Sequence, residues 1–142
     1  QTWMQIGYGR TGTSPELSAK FQYFRTNHDV ELLSRDRLLP LAIDTVRRMQ
    51  DGYVPSQPPT VQLASPQLMD KMEAFMADGV ARGDFVPHNK VVAMQIATVI
   101  VADKDEAQHS DEQALFDRER RAFLDLAKTD TTGKWIAALL KA

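Results

Sequence analysis

Residues 7–12 read Gly7-Tyr8-Gly9-Arg10-Thr11-Gly12. This is G-x-G-x-x-G, the spacing that lets a backbone approach the pyrophosphate of a dinucleotide. The chemistry needs a buried strand before the glycines, a helix after them and an acidic residue about 20 positions further on. Only six residues precede Gly7, among them Gln1, Thr2 and Gln5, and no alternating strand–helix pattern follows. Asp29 lies at a suitable distance but within the polar turn Thr26-Asn27-His28-Asp29. The expected role of the glycines is therefore a turning or closely packed segment, not a nucleotide site.

His28, His88 and His109 are scattered, and the chain has no Cys. Without a His-x-x-x-His pair or thiolates, a metal site would need these residues gathered by the fold. Surface or capping roles are expected, with His88 fixing the start of a buried helix. Glu119 falls within the stripe Leu115, Phe116, Ala122, Phe123 and Leu126. A carboxylate buried there needs a partner or a raised pKa. An ion pair with Arg35, Arg37 or Arg82, or backbone donors, is the expected arrangement, ahead of acid–base catalysis. Arg118, Arg120 and Arg121 alternate with acids and read as a solvated face or interface rim. No G-x-S-x-G elbow or phosphate-binding loop is present. No catalytic, cofactor-binding or metal-ligating residue is assigned.

At 142 residues the chain has the length of one domain with a real core. A net charge of −2 leaves no overall field to attract nucleic acid or acidic lipid. The longest nearly apolar run, Val91 to Ala102, is too short to span a bilayer. No secretory signal pattern is seen. The lack of Cys fits a reducing compartment, and a cytoplasmic location is the expectation. The first residue is Gln1 and not Met, as expected either of a chain from which something was removed or of a piece of a longer chain.

The elements that must position these residues are mostly helices. Thr13-Ser14-Pro15-Glu16 starts a short helix to about Phe21, with Thr13 as cap. Short extended pieces follow to Leu33. Ser34 caps a second helix to about Gln50, with Leu39, Ile43 and Val46 on one stripe, Pro40 bending it and Asp51-Gly52 stopping it. Tyr53 to Ala64, with Pro55, Pro58 and Pro59, forms a stiff strap. Ser65-Pro66 opens a third helix through Met69, Met72, Phe75 and Met76, ended by Gly83. Pro87 opens a fourth, central helix to about Ala102 through Val92, Ile96, Val99 and Ile100. Asp103 to His109 is a polar loop. Ser110 with Gln113 makes a capping box for a fifth helix to about Lys128. Thr131 or Thr132 starts a sixth, carrying Trp135, Ile136, Leu139 and Leu140. The expected class is all-α, five to six helices in a bundle, over residues 34–142.

The order of several stretches resembles a known family. These are Gly12-Thr13-Ser14-Pro15-Glu16-Leu17-Ser18-Ala19, Tyr23-Phe24-Arg25 and Arg35-Asp36-Arg37-Leu38-Leu39. Gly52-Tyr53-Val54-Pro55, Phe85-Val86-Pro87-His88-Asn89, Val92-Ala93 and Glu112-Gln113 follow. Arg118-Glu119-Arg120-Arg121-Ala122-Phe123-Leu124 and Ile136 to Lys141 complete the set. In this order they resemble the C-terminal portion of bacterial fatty-acid oxidation proteins. Those proteins join a 3-hydroxyacyl-CoA dehydrogenase to an enoyl-CoA hydratase/isomerase, or crotonase-like, region.

The resemblance implies that residues 1–33 end a crotonase-like region, as a strand followed by a short helix, and that residues 34–142 form its helical tail. It places the NAD site, the dehydrogenase His–Glu pair and the oxyanion-stabilising N–H groups of the parent protein upstream of Gln1. It implies a non-catalytic structural and oligomerisation region, with apolar faces around Trp3 and Trp135 covering other domains of the parent, and a homo-oligomer acting on acyl-CoA. Contact with CoA through Arg10, Lys20 or Arg25 is a further possibility. The alternative is a stand-alone helical interaction module using Met69, Met72 and Met76 as an adaptable groove.

Overall fold

The computed structural model describes residues 1–104 and 108–141. The described residues form seven helices and a two-stranded ribbon, an all-α architecture. In chain order these are α1 (Thr2–Gly7), α2 (Pro15–Lys20), α3 (Leu38–Met49), β1 (Thr60–Gln62), α4 (Gln67–Arg82), α5 (Pro87–Ile100), β2 (His109–Asp111), α6 (Glu112–Ala127) and α7 (Asp130–Leu139). The chain forms two compact units, Gln1–Gly9 with Pro58–Ala142, and Arg10–Gln57.

The first unit is organised around α5. Pro87 occupies the first helical turn, where its missing N–H costs nothing. Asn89 Oδ1 accepts the Val86 N–H at 3.0 Å, while the Asn89 N–H donates to the Val86 carbonyl at 2.9 Å. α4 stops at Gly83, whose φ of 81° is the left-handed conformation that glycine adopts without strain. The Asp84 N–H then returns to the Gly79 carbonyl at 2.9 Å. Gly79 is itself required by contact: a Cβ placed there would enter the Phe85 ring.

The core joins Trp3, Met76, Ala93 and Ala97, with Met4, Met69, Met72, Phe85, Met94, Ile96 and Ile100 packed against it. Ala97 is completely buried and Ala122 is nearly so. These small side chains lie on α5 and α6, whose backbones can approach closely through them. The strap is tied to the end of α5. Leu63 N–H donates to Gln108 O at 2.8 Å and Ala64 N–H to Ile100 O at 2.8 Å, while Ala102 N–H donates to Ala64 O at 2.9 Å. β1 and β2 pair antiparallel with Val61 opposite Ser110. The polar loop expected over 103–109 falls partly on residues 105–107, which lie outside the described residues.

The second unit holds α2, a single 3-10 turn at Arg35–Arg37 and α3. None of these three segments has a fully buried residue. The stripe Leu39, Ile43 and Val46 is present on α3 and exposed.

Several local expectations are corrected. Residues 2–7 are helical, where the resemblance implies a strand. From Phe21 to Asp29 the chain is mostly turns and bends, and no strand forms among residues 21–33. Ser14, not Thr13, caps α2, accepting the Leu17 N–H at 3.3 Å. Ser34 makes no side-chain cap, and a 3-10 turn begins the second helix instead. The Ser110–Gln113 capping box is replaced by Asp111, whose carboxylate accepts the Ala114 N–H at 2.7 Å. Gln113 turns to Asp117, donating at 3.2 Å, because Ser110 is held in the ribbon one position too early. The last helix is capped by Thr129, two residues before the expected start.

Candidate functional site

The glycine pattern lies outside the geometry a dinucleotide needs. α1 precedes it in place of a strand, and Gly7 is the last residue of that helix. Gly9 makes a left-handed turn with φ of 57°. The next helix, α2, has only six residues. Asp29 is engaged locally: its Oδ2 accepts the Arg25 backbone N–H at 2.7 Å and its Oδ1 accepts Arg25 Nη2 at 2.9 Å. These hydrogen bonds, the side-chain one first, hold the Asp29 carboxyl below the ordinary carboxylate range and raise the Arg25 guanidinium. Gly7 to Gly12 thus lack the preceding strand of a dinucleotide-binding turn. Arg10, Lys20 and Arg25 are exposed, and Arg25 is bound to Asp29.

The three histidines are not brought together. His28 lies in the Arg25–Asp29 turn and His109 on β2, both exposed. Among the described residues no group of three His, Asp or Glu side chains is placed to hold a metal ion. His88 has a structural setting. Its Nε2 is 2.9 Å from Thr132 Oγ1, and its ring meets Trp135 edge-on with centroids 4.9 Å apart. Thr132 Oγ1 is 2.8 Å from Thr129 Oγ1, which donates to the Leu126 carbonyl at 2.8 Å. His88 thereby links the start of α5 to α7 by its side chain.

α6 reverses two expectations. Glu119 is exposed, not buried. The inward stripe is Leu115, Arg118, Ala122 and Leu126, so Glu119 shares the outer face with Phe116 and Phe123. Arg118 is the residue that turns inward. Its Nε and Nη2 donate to the Thr98 carbonyl at 3.1 and 2.8 Å, and Nη2 also donates to the Val101 carbonyl at 2.6 Å. These carbonyls end α5, where the helix dipole is negative and backbone acceptors lack helical partners. Sequence reading missed this role, because an arginine between acids has the signature of a solvated face.

Trp3 is also corrected: it is buried, and its Nε1–H donates to the Ala93 carbonyl at 2.8 Å. Met76 is buried, and Met69 and Met72 pack against the same core.

The outward apolar surface lies elsewhere. A groove of about 350 Å³ is walled by Ile6 of α1, Ile96, Val99 and Ile100 of α5, and Phe123 and Leu126 of α6. Glu119 also borders it. Trp135, Ile136, Leu139 and Leu140 leave a second exposed apolar strip on and just beyond α7. Among the described residues no helix is long and apolar enough to cross a membrane. Comparison with protein-family models, curated proteins and solved structures finds no match.

Proposed function

We propose that this chain is a non-catalytic, helical packing region of a larger fatty-acid oxidation protein of the 3-hydroxyacyl-CoA dehydrogenase and enoyl-CoA hydratase/isomerase type. The observation that carries the packing role is the groove formed by α1, α5 and α6. Its walls are mainly aliphatic and aromatic, with Gln95 and Glu119 as the polar members, and Ile6 and Phe123 are exposed. Apolar surface of this kind gains free energy when another protein surface removes it from water. The family assignment rests on the order of sequence stretches from Gly12 to Lys141. On this reading the occupant of the groove is another domain of the same parent protein, and NAD and acyl-CoA bind to that parent elsewhere.

Two measurements test the reading. The purified 142-residue chain is expected to show background rates of enoyl-CoA hydration and of NAD-dependent 3-hydroxyacyl-CoA oxidation. Turnover by the chain alone overturns the non-catalytic role. The reading frame upstream of the Gln1 codon is expected to encode a dinucleotide fingerprint. A start codon at that position favours a separate helical module.

A further inference from the structure

The first unit contains a second, smaller hollow with different chemistry. It has a volume of about 110 Å³ and is half-enclosed between α1, α4 and α5. Four aromatic residues line it: Trp3, Tyr8, Phe75 and Phe85. Their rings contact one another in sequence. Trp3 meets Phe75 edge-on at 6.0 Å between centroids, Phe75 meets Phe85 at 6.0 Å, and Phe85 meets Tyr8 at 6.5 Å. Ring edges carry partial positive charge and ring faces partial negative charge, so this wall suits another ring packed edge-to-face or offset.

The polar groups narrow the choice. Trp3 Nε1–H is already committed to the Ala93 carbonyl. Asn89 also lines the hollow, and its Oδ1 is committed to the Val86 N–H. The Nδ2 group of Asn89 has no acceptor among the described residues, so it has donors to offer. No charged side chain among the described residues lines the space. A charged guest would lose hydration there without a countercharge. An apolar cavity of about 150 Å³ in another protein stays dry and takes up benzene. The present space is slightly smaller but open on one side, so a guest need not be wholly enclosed.

The geometry points to a binding site for a small neutral molecule with one aromatic ring and one hydrogen-bond-accepting oxygen. The ring lies against the aromatic wall, and the oxygen accepts from Asn89 Nδ2. This site is independent of the packing role of the groove between α1, α5 and α6.

Acetophenone and ethylbenzene separate the two parts of the proposal. Each is titrated into the ¹⁵N-labelled 142-residue chain while the indole N–H resonances of Trp3 and Trp135 are followed. Both compounds are expected to shift Trp3 saturably and leave Trp135 unmoved. Acetophenone is expected to bind about fivefold more tightly, the effect of one net hydrogen bond. Gly7 lines the same space, and a Cβ there meets nothing within 4 Å, so Gly7→Leu adds bulk without a backbone collision. It is expected to abolish both saturable shifts. Asn89→Asp keeps an oxygen for the Val86 N–H but removes the donor. It is expected to erase the ketone's advantage while ethylbenzene still binds. Absence of a saturable Trp3 shift in the unsubstituted chain overturns the site, as does binding unchanged by Gly7→Leu. A ketone advantage that survives Asn89→Asp overturns the role given to Asn89.

Discussion

Arg118 on α6 closes the end of α5 by donating from Nη2 to the Val101 carbonyl at 2.6 Å, with Thr98 O as its second acceptor. The guanidinium supplies the planar fork that two neighbouring carbonyls require, and its charge opposes the negative end of the helix dipole. Arg118→Met should lower unfolding stability by about 1.5–3 kcal/mol, the usual range for hydrogen bonds to a charged group. Arg118→Lys should recover only part of this loss, since an ammonium is a point donor. Urea unfolding midpoints of the three proteins check the order Arg, Lys, Met.

Trp3 contributes a ring to the core and a hydrogen bond to Ala93. The two are separable. Trp3→Phe removes the donor but keeps most of the ring, at a cost of about 1 kcal/mol for the bond. Trp3→Ala opens a cavity and should cost about 3–5 kcal/mol. Amide hydrogen exchange over residues 2–7 should accelerate most in Trp3→Ala, showing α1 released from α5.

Gly79 and Phe85 should be coupled. Alanine normally improves a helix by about 1 kcal/mol over glycine. At position 79 the added methyl enters the Phe85 ring, and overpacking of this kind costs about 1–3 kcal/mol. Gly79→Ala should therefore destabilise the native chain but stabilise a Phe85→Leu background. A double-mutant cycle on thermal unfolding measures the sign reversal.

Asp29 should titrate below the ordinary carboxylate range, because Arg25 hydrogen-bonds its charged form. The sign follows from a folded pKa lower than the unfolded one. The contribution is complete above the unfolded carboxylate pKa and is lost as pH falls through the depressed folded value. Carboxyl-carbon NMR should show the Asp29 midpoint rising in Arg25→Ala. A midpoint that stays put would remove the Arg25 guanidinium as its cause, leaving the backbone N–H.

The six helices expected from sequence are those with a local start or stop. Pro87 at the first turn, Gly83 beyond the last and the period of Met69, Met72 and Met76 marked α4 and α5 within a few residues. α1 was not legible: it has six residues, no side-chain cap and no acidic first turn, and its Trp3 finds its partner 90 positions away. The phase of α6 was misread for a related reason. The large residues Phe116 and Phe123 draw the apparent stripe toward themselves, yet the helix packs through the small Ala122 and leaves both rings exposed. Glu119 came out with them, and Arg118 went in. Nor does hydrophobicity mark Asn89, whose capping oxygen and remaining amide donors become evident only beside Val86 and the aromatic hollow.

The long separation between Trp3 and Ala93 also has a temporal consequence during synthesis. At about 5–20 residues per second, α1 leaves the ribosome on the order of ten seconds before α5 exists to receive it. For that interval the nascent chain carries an unseated tryptophan on a helix too short to persist alone. α1 is then a late arrival in the folded core despite being translated before α5, and translation pauses before residue 93 prolong the window in which it is exposed to chaperones and to aggregation.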